Sequence, residues 1–210
     1  MKTILCYGDS NTWGYSAAGG ARYPIEQRWT TVLARELGPD YHVVPEGLNG
    51  RTTVWPDPVE GEYKNGKQCL VPCLESHHPL DLVVLMLGTN DLKHRYGLSA
   101  WDIASGVGAL VELIRRSEFG PEGGPPEVLL MAPPVTCVGA GPFAEMLAGA
   151  DEKSVDLGRF YRAIAEENGV SFLDTSKVIV SDPTDGIHLA VGELPKLGMA
   201  VAAEVRRILG

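Results

Sequence analysis

The segment Leu80-Asp81-Leu82-Val83-Val84-Leu85-Met86-Leu87 decides the fold, because it is apolar at all positions but one and stops at a glycine, Gly88. A short apolar run with β-branched residues at its centre is typical of a strand buried on both faces of a parallel sheet. The run Lys2–Gly8 has the same character and leads into Asp9-Ser10. We therefore expect 80–87 to be a central strand and Lys2–Gly8 to be the first strand of the same sheet.

Further strands and helices alternate along the rest of the chain. The remaining strands are predicted at 41–44, 128–132 and 170–173, and the helices at 28–37, 69–76, 101–116, 157–168 and 194–209. Most of these helices are indicated by apolar side chains that recur every three or four residues. Such alternation predicts right-handed crossovers and a parallel sheet with helices on both faces. We expect one α/β domain over residues 1–210, a three-layer α/β/α sandwich around a five-stranded parallel sheet.

Two segments carry no periodic pattern. Residues 55–67 contain two prolines and two glycines, which indicates a surface loop. Residues 139–151 mix Gly and Ala with Phe143 and Met146, and we expect a mobile or lid-like connection there. Trp55 and Tyr63 stand in the otherwise polar segment 55–67, which motivates the hypothesis that this segment associates copies of the chain into a homo-oligomer.

The composition argues against several classes of partner. The 210 residues include 18 Lys and Arg against 27 Asp and Glu, and a formal net charge of −9 is expected to repel nucleic-acid phosphates. No apolar run approaches the ~18 residues of a membrane span, and the first residues lack the features of a signal peptide. The four cysteines, in a chain of this size, do not suggest a disulfide framework. We therefore expect a cytoplasmic protein with reduced thiols.

Polar residues follow the predicted strands at the points where the strands end. They are Gly8-Asp9-Ser10-Asn11 after the first strand, Gly47-Leu48-Asn49-Gly50-Arg51-Thr52 after the second, Gly88-Thr89-Asn90-Asp91 after the third, and Asp182-Pro183-Thr184-Asp185-Gly186-Ile187-His188 beyond the fifth. Ligands of parallel α/β sheets bind beyond the carboxyl ends of the strands. We therefore expect these four segments to meet at one edge of the sheet and to form the functional site.

The four segments contain the groups that nucleophilic catalysis by a hydroxyl needs. Ser10, at a strand-to-helix turn, is the candidate nucleophile, and His188 is the candidate base. Asp185 precedes His188 by three residues and can hold the imidazole Nδ1–H. The Ser10 N–H, the Gly50 N–H and the Asn90 side-chain amide are candidate donors to an oxyanion. Ser10 and Asp9 taken alone could equally be a helix N-cap, so the interpretation of Ser10 depends on the other three segments.

These motifs, in this order, resemble the sequence blocks of the SGNH (GDSL-type) hydrolase family. Gly8-Asp9-Ser10, Gly50, Gly88-x-Asn90-Asp91 and Asp185-x-x-His188 extend over almost the whole chain. Runs such as Arg51-Thr52-Thr53 further resemble the bacterial arylesterase/acyltransferase and acetylesterase branch. The resemblance implies a flavodoxin-like SGNH hydrolase fold, an esterase activity, and neither a metal ion nor a cofactor. It also implies Ser10 as nucleophile, Asp185 and His188 as its partners, and Ser10, Gly50 and Asn90 as the oxyanion hole.

The chain departs from the name-giving family motif at Asn11, where the motif has leucine. We expect the Asn11 side chain to support the turn or to face the acyl pocket. Asn11, Trp13 and His94 are the candidate substrate-binding residues. The side chains that could border an acyl or aryl pocket are Trp13, Tyr15, Trp55, Phe143 and Met146.

One predicted helix face superficially suggests a zinc site. Cys69, Cys73 and His77-His78 have the i, i+4, i+8 spacing of ligands that share a helix face. The sequence has no second cluster of paired ligands, and cysteines on a helix face are commonly hydrophobic packing residues. We therefore predict that no metal is bound there.

Taken together, these observations predict a serine esterase that hydrolyses small esters with short acyl, acetyl or aryl groups through an acyl-enzyme, and that can also transfer the acyl group to an alcohol. A carbohydrate O-acetylesterase, a thioesterase or a lysophospholipase with the same triad is the alternative. A non-catalytic small-molecule-binding domain is disfavoured, because every triad and oxyanion position is filled. The expected partner is a small-molecule ester, with no nucleic acid and no membrane.

Overall fold

The computed structural model describes residues 1–210 and contains one sheet of five parallel strands. The strands are β1 (Lys2–Gly8), β2 (Tyr41–Gly47), β3 (Leu82–Met86), β4 (Glu127–Ala132) and β5 (Ser171–Asp174), in the spatial order β2-β1-β3-β4-β5. The helices are α1 (Ser10–Trp13), α2 (Trp29–Leu37), α3 (Gly66–His77), α4 (Ala100–Arg115), α5 (Ala150–Asn168) and α6 (Glu193–Leu209). None of them combines the length and the apolar character that a membrane crossing needs. The predicted α/β architecture with β3 at its centre is confirmed.

Helices cover both faces of the sheet. Successive side chains of a strand point to opposite faces, so each face needs its own apolar set. On one face, Leu5 and Val83 pack against α3, α4 and α5. On the other face, Ile4 and Val84 pack against α2 and α6. Burial on both sides explains why the strand sequences are continuously apolar rather than alternating.

Three element boundaries differ by three or more residues from the predictions made from the sequence, and the others differ by at most two. Strand β2 continues past 41–44 because its backbone stays paired with β1 as far as Gly47, opposite Gly8. Helix α3 begins at Gly66 rather than at 69, and the Asn65 side chain caps it. Helix α5 begins at Ala150 rather than at 157, so the predicted connection 139–151 ends inside a helix. Its first turns are small and acidic and lack the apolar period that indicates a helix.

The segment that precedes α5 consists of turns that are anchored at their α5 end. The Asp151 carboxylate accepts hydrogen bonds from the Thr136 hydroxyl at 2.7 Å, from the Val138 N–H at 2.9 Å and from the Gly139 N–H at 3.2 Å. These bonds join the start of the segment to the first turn of α5. The other segment without a period, 55–67, is a loop with one 3₁₀ turn at Glu62–Lys64 before α3 begins.

Candidate active site

Ser10 lies at the end of β1, as the first residue of α1. The Asp9 carboxylate caps this short helix by accepting a 3.0 Å hydrogen bond from the Asn11 N–H. Gly47 of β2 passes so close that a Cβ there would lie 2.2 Å from the Trp13 backbone nitrogen, a distance that no larger residue could accept. The helix is therefore held tightly against the sheet edge, with Ser10 lining a cleft.

The loop before α6 brings His188 and Asp185 to Ser10 from the opposite end of the chain. His188 Nε2 lies 2.8 Å from Ser10 Oγ, and His188 Nδ1 lies 2.6 Å from Asp185 Oδ2. The other carboxylate oxygen, Asp185 Oδ1, accepts hydrogen bonds from the backbone N–H groups of Ile187 at 3.1 Å and His188 at 3.0 Å. The backbone thus fixes the carboxylate, and the carboxylate orients the imidazole with Nε2 toward the hydroxyl.

Asp185 is held in its ionised form by these hydrogen bonds. Burial acts to raise the pKa of Asp185, but the bonds from the His188 ring and from the two backbone N–H groups outweigh it, and the pKa falls below its usual value. An anion beside Nδ1 stabilises the positive charge that an imidazole gains when it takes a proton. The arrangement can therefore activate the Ser10 hydroxyl for nucleophilic attack.

Three hydrogen-bond donors lie in the same cleft. Gly50 lines it with a φ of 78°, in the left-handed region that favours glycine. Neither the Gly50 N–H nor the Ser10 N–H donates to another group of the protein. Asn90 Nδ2 donates one hydrogen bond to the Arg51 carbonyl at 3.1 Å, which leaves its second N–H for a ligand. Together these donors can stabilise negative charge on an oxygen bound beside Ser10.

The cleft, with a volume of about 200 Å³, has two walls of different character. The residues of the first, which we call the polar wall, are Asn49, Glu60 and Lys93. The residues of the second, which we call the apolar wall, are Tyr15, Phe143 and Met146. The polar wall reaches the oxyanion side of the cleft, because a Cβ on Gly50 would lie 2.6 Å from the Glu60 carboxylate.

The apolar wall contacts the imidazole. Tyr15 stacks on His188 with ring centroids 4.1 Å apart and an interplanar angle of 25°. Phe143 approaches the same ring edge-on, with centroids 6.3 Å apart. These two rings exclude water from one side of His188 and limit the rotation of its side chain.

The polar wall rests on a buried ion network. Lys93 is only 2% exposed, and its Nζ lies 2.5 Å from Glu60 Oε1 and 3.3 Å from Asp57 Oδ2. Arg95 pairs with the same two carboxylates, at 2.9 Å from Asp57 Oδ1 and 3.7 Å from Glu60 Oε1. Burial acts to raise the pKa of Asp57, but hydrogen bonds from backbone N–H groups and the Lys93 charge bring it well below its usual range. The loop 55–67 is thereby fixed to the segment that follows β3.

Comparison with protein families decides where this chain belongs. A profile of the GDSL-like Lipase/Acylhydrolase family matches residues 6–191. The chain belongs to this family. The predicted resemblance is therefore confirmed, and this GDSL-family protein is a carboxylic ester hydrolase whose substrates are small-molecule esters.

Several solved structures are similar to the GDSL-family protein over their full length. A carbohydrate acetylesterase family member from Sinorhizobium meliloti is 43% identical with a TM-score of 0.94, and each chain is covered to 100%. A second carbohydrate acetylesterase from the same organism is 39% identical with a TM-score of 0.93, again with 100% of each chain covered. The native aryl esterase of M. smegmatis is 40% identical with a TM-score of 0.94 and the same coverage. A search of curated proteins found no significant match.

In this GDSL-family hydrolase, Arg51 holds the segment after β2 in place, a role that the sequence analysis missed. Its Nη1 donates to the carbonyl oxygens of Gly8 at 2.9 Å and Glu46 at 2.5 Å, and its guanidinium lies 4.0 Å from the centroid of the Tyr7 ring. These bonds connect the ends of β1 and β2. The available signals were the position of Arg51 next to Gly50 and its place in the run Arg51-Thr52-Thr53, neither of which indicates this contact.

Two buried acids, Asp9 and Asp91, support the site; the sequence offered an N-cap role for Asp9 and none for Asp91. Asp91 accepts hydrogen bonds from the Thr53 N–H at 3.0 Å and from the Thr53 hydroxyl at 2.5 Å, and Asp9 caps α1. Burial raises the pKa of both Asp9 and Asp91 to about 6, although their hydrogen bonds act in the opposite direction. Asp91 thus joins the segment after β2 to the segment that carries Asn90, without a cation as its partner.

The three predicted substrate-binding residues do not line the cleft. Asn11 Nδ2 donates to the Ile187 carbonyl at 3.0 Å, so it supports the turn and ties it to the His188 loop, the first of the two expected roles. The Trp13 ring lies under the Arg22 guanidinium at 4.7 Å. The His94 side chain is exposed, and only its backbone N–H reaches the apolar wall, at 2.8 Å from the Met146 carbonyl. Of the five predicted pocket residues, those found in the cleft are Tyr15, Phe143 and Met146.

The helix face considered for zinc contributes only part of a cluster. One ligand-type atom each of Glu46, Cys73 and His77 lies within 4.8 Å of the others, whereas Cys69 is not part of the group. His77 Nε2 lies 2.9 Å from Glu46 Oε1, and burial raises the pKa of Cys73 to about 12. Hydrogen bonds from the protonated Cys73 thiol and from His77 to the Glu46 carboxylate account for the cluster. That no metal binds there stays a prediction.

Proposed function

We propose that this ester hydrolase cleaves small esters through an acyl-enzyme formed on Ser10. The observation that carries the proposal is the continuous line of hydrogen bonds from Asp185 through His188 to Ser10, with distances of 2.6 and 2.8 Å, beside free donors in one cleft. The cleft volume of about 200 Å³ is small for a ligand pocket and favours acetyl and other short acyl groups over long chains.

In the first half of the reaction, His188 takes the proton of Ser10 while Ser10 Oγ attacks the ester carbonyl carbon. The carbonyl oxygen becomes an oxyanion and accepts hydrogen bonds from the Ser10 N–H, the Gly50 N–H and the Asn90 amide. Each such donor contributes roughly 3–4 kcal/mol to transition-state stabilisation in related chemistry. The bond to the alcohol then breaks, and the alcohol leaves with the proton from His188.

In the second half, a water molecule gives a proton to His188 and attacks the acyl-enzyme, so that the carboxylic acid and free Ser10 are formed. We further propose that an alcohol can replace this water, which gives acyl transfer. The apolar wall supports this step because Tyr15 and Phe143 exclude water from one side of His188. Incubation with phenyl acetate and excess ethanol tests it: ethyl acetate should form in parallel with acetate, and acetate alone would contradict transfer.

The decisive test of the proposed nucleophile is the Ser10→Ala variant. We expect its turnover of 4-nitrophenyl acetate to fall by about 10³-fold or more, because the residual activity comes only from the oxyanion donors and binding. Ser105→Ala, at a partly exposed position of α4 outside the cleft, is the matched control and should keep full activity. A serine-directed fluorophosphonate should label the wild type and the control but not Ser10→Ala. Wild-type turnover by Ser10→Ala would show that the nucleophile is another residue.

The alcohol portion of the natural ester has two candidates. The neighbours from S. meliloti are named carbohydrate acetylesterases, and the neighbour from M. smegmatis is named an aryl esterase. A polar wall and an apolar wall in one cleft are compatible with both. Acetylated sugars and phenyl acetate are assayed side by side, each together with homologues that carry longer acyl chains. Both activities should decline as the acyl chain grows.

We also propose that the protein works in the cytoplasm as a homo-oligomer. Its four cysteines are free thiols, which suits a reducing compartment. In the loop 55–67, Val59 is 74% and Tyr63 is 58% exposed, and such apolar side chains are often covered by a second subunit. Trp55, in contrast, is half-buried against the core. Sedimentation should show a species larger than one chain, and a monomer at all concentrations would remove this part of the proposal.

A further inference from the structure

The polar wall contains one carboxylate oxygen that the protein leaves free. Glu60 Oε1 is bound by Lys93 at 2.5 Å and lies 3.7 Å from Arg95. Glu60 Oε2 accepts no hydrogen bond from the protein, and it lies near Gly50, where a Cβ would be 2.6 Å from it. The free oxygen is therefore located beside the donors that would bind the ester carbonyl.

The charge of this carboxylate is compensated, which makes its position compatible with catalysis. An isolated anion beside the oxyanion donors would oppose the negative charge of the transition state. Lys93 and Arg95 bind Glu60 and the fully buried Asp57 together, so two cations balance two carboxylates. What remains at Glu60 Oε2 is a fixed hydrogen-bond acceptor with little excess charge in the cleft.

The chemistry of this acceptor defines what it can bind. An ionised carboxylate only accepts hydrogen bonds, so its partner must carry a donor, which an anionic oxygen lacks. A short alkyl acyl group has no donor, so the donor must belong to the alcohol portion of the ester. A free hydroxyl next to the esterified one is the neutral group that fits.

We infer that Glu60 is a specificity-determining residue that accepts a hydrogen bond from a free hydroxyl of the alcohol portion, and that the preferred substrates are short-acyl esters of polyhydroxylated alcohols. This inference rests on the proposed function, because it needs the ester carbonyl to bind beside Ser10. Lys93 acts as a positioning residue that fixes the Glu60 carboxylate, and the apolar wall offers this hydroxyl no acceptor.

The test compares two acetyl esters that differ in free hydroxyl groups, glyceryl monoacetate and ethyl acetate. Wild type should prefer glyceryl monoacetate in kcat/KM. Glu60→Met keeps the length of the side chain but removes the acceptor, and it should lower kcat/KM for glyceryl monoacetate by about 10- to 100-fold, the range for a hydrogen bond to a charged group. Ethyl acetate should lose no activity, since it never made this bond. The positive charge left unbalanced on Lys93 and Arg95 acts on both esters alike and cancels in the ratio of their rates. Glu60→Gln, with a neutral acceptor, should fall between the two.

The matched control is Glu62→Gln, at an exposed position of the same loop, which should leave both rates unchanged. The ratio of the two rates within one variant does not depend on how much of that variant is folded. A wild-type ratio near one, or an equal loss for both esters in Glu60→Met, overturns the inference while leaving the proposed function intact. Hydrolysis of neither ester nor 4-nitrophenyl acetate by the wild type overturns the proposed function itself, and the inference with it.

Discussion

The two walls of the cleft are built by opposite means. The polar wall is fixed by charges: Lys93 and Arg95 bind Asp57 and Glu60, and both Lys93 and Asp57 are buried. The apolar wall is formed partly by the turns of 139–149. The Asp151 carboxylate anchors these turns, and the Phe143 ring contacts the site. One wall is locked by ion pairs, and the other is held by hydrogen bonds at its end and by packing.

Because of this difference, the polar wall holds its groups at fixed positions, whereas the apolar wall can adapt to the substrate. A carboxylate selects a donor only if its oxygen is held at one position, and a buried pair of cations provides that. An apolar surface discriminates little between substrates of similar size, so small displacements of it matter less. We therefore expect changes to the polar wall to alter stability and selectivity strongly, and changes to the apolar wall to alter them weakly.

The largest effect is expected from Lys93→Met, which removes the buried cation of the polar wall. The fully buried Asp57 loses an ion-pair partner, and breaking a buried pair typically costs about 3–5 kcal/mol of unfolding free energy. Lys196→Met, which removes a half-exposed lysine paired with Glu193, is the control and should cost less than about 1 kcal/mol. Urea denaturation followed by tryptophan fluorescence measures both, and equal losses would show that the network does not hold the wall.

The second-largest effect concerns how stability depends on pH. Asp91, a buried acid without a cation as its partner, should show the opposite dependence to Asp57. Because the folded-state pKa of Asp91 is raised to about 6, the folded protein keeps a proton that the unfolded chain releases near pH 4. Stability should therefore fall as the pH rises from about 4 to 6, by about 3 kcal/mol for this group. Asp57 has the opposite sign: its lowered pKa gives stability that is present above about pH 4 and is lost in stronger acid.

Asp91→Asn tests this sign directly, since an amide cannot release the proton. Unfolding free energies at pH 4.5 and pH 7 should differ less in Asp91→Asn than in the wild type, with the remaining slope due to Asp9, which has the same shift. Asp40→Asn, at an exposed position, should leave the difference as it is in the wild type. A slope that survives unchanged in Asp91→Asn would contradict the burial argument.

A smaller effect is expected at the anchor of the apolar wall. Asp151→Ala leaves the N–H groups of Val138 and Gly139 and the Thr136 hydroxyl without their acceptor, at a cost of about 1–2 kcal/mol in unfolding free energy. The neighbouring exposed residue gives the control Glu152→Ala, which should be close to neutral. Thermal denaturation of the two variants compares them, and a neutral Asp151→Ala would mean that packing alone holds the segment.

The fold and the candidate triad could be predicted from the sequence because they depend on local signals. Continuous apolar runs indicate buried strands, and a parallel sheet brings the segments after those strands to one edge, so Ser10, Asn90 and His188 could be grouped before any coordinates. Asn11 could be given two roles but not one, because the choice depends on the Ile187 carbonyl, 176 residues away along the chain.

The residues of the apolar wall, Tyr15, Phe143 and Met146, were among the predicted pocket residues. The polar wall could not be predicted, because it arises from contacts between segments whose sequences carry no period. Lys93 and Glu60 are ordinary surface residue types, and only the pairing of the loop 55–67 with the segment after β3 buries Lys93 and fixes Glu60 beside it. His94, next to Lys93, was expected near the substrate, whereas the side chain that reaches the cleft is that of Lys93. In a short irregular segment, one residue of displacement decides which side chain faces the site, and neither helical nor strand periodicity fixes that choice.

The smallest effect is expected from Phe143→Ala, which shortens the apolar wall. Phe143 touches His188 only edge-on, so removing it should lower kcat/KM for phenyl acetate about 3- to 10-fold, the value of one aromatic contact of about 1 kcal/mol. Hydrolysis of glyceryl monoacetate should change less, because its hydroxyl groups bind at the polar wall.

Phe160→Ala, which truncates a half-buried ring on α5 outside the cleft, is the control for a general loss of packing and should lower neither rate. The selectivity of Phe143→Ala should thus shift toward the polyol ester, opposite to the shift in Glu60→Met; a shift in the same direction in both variants would mean that the two walls do not select independently.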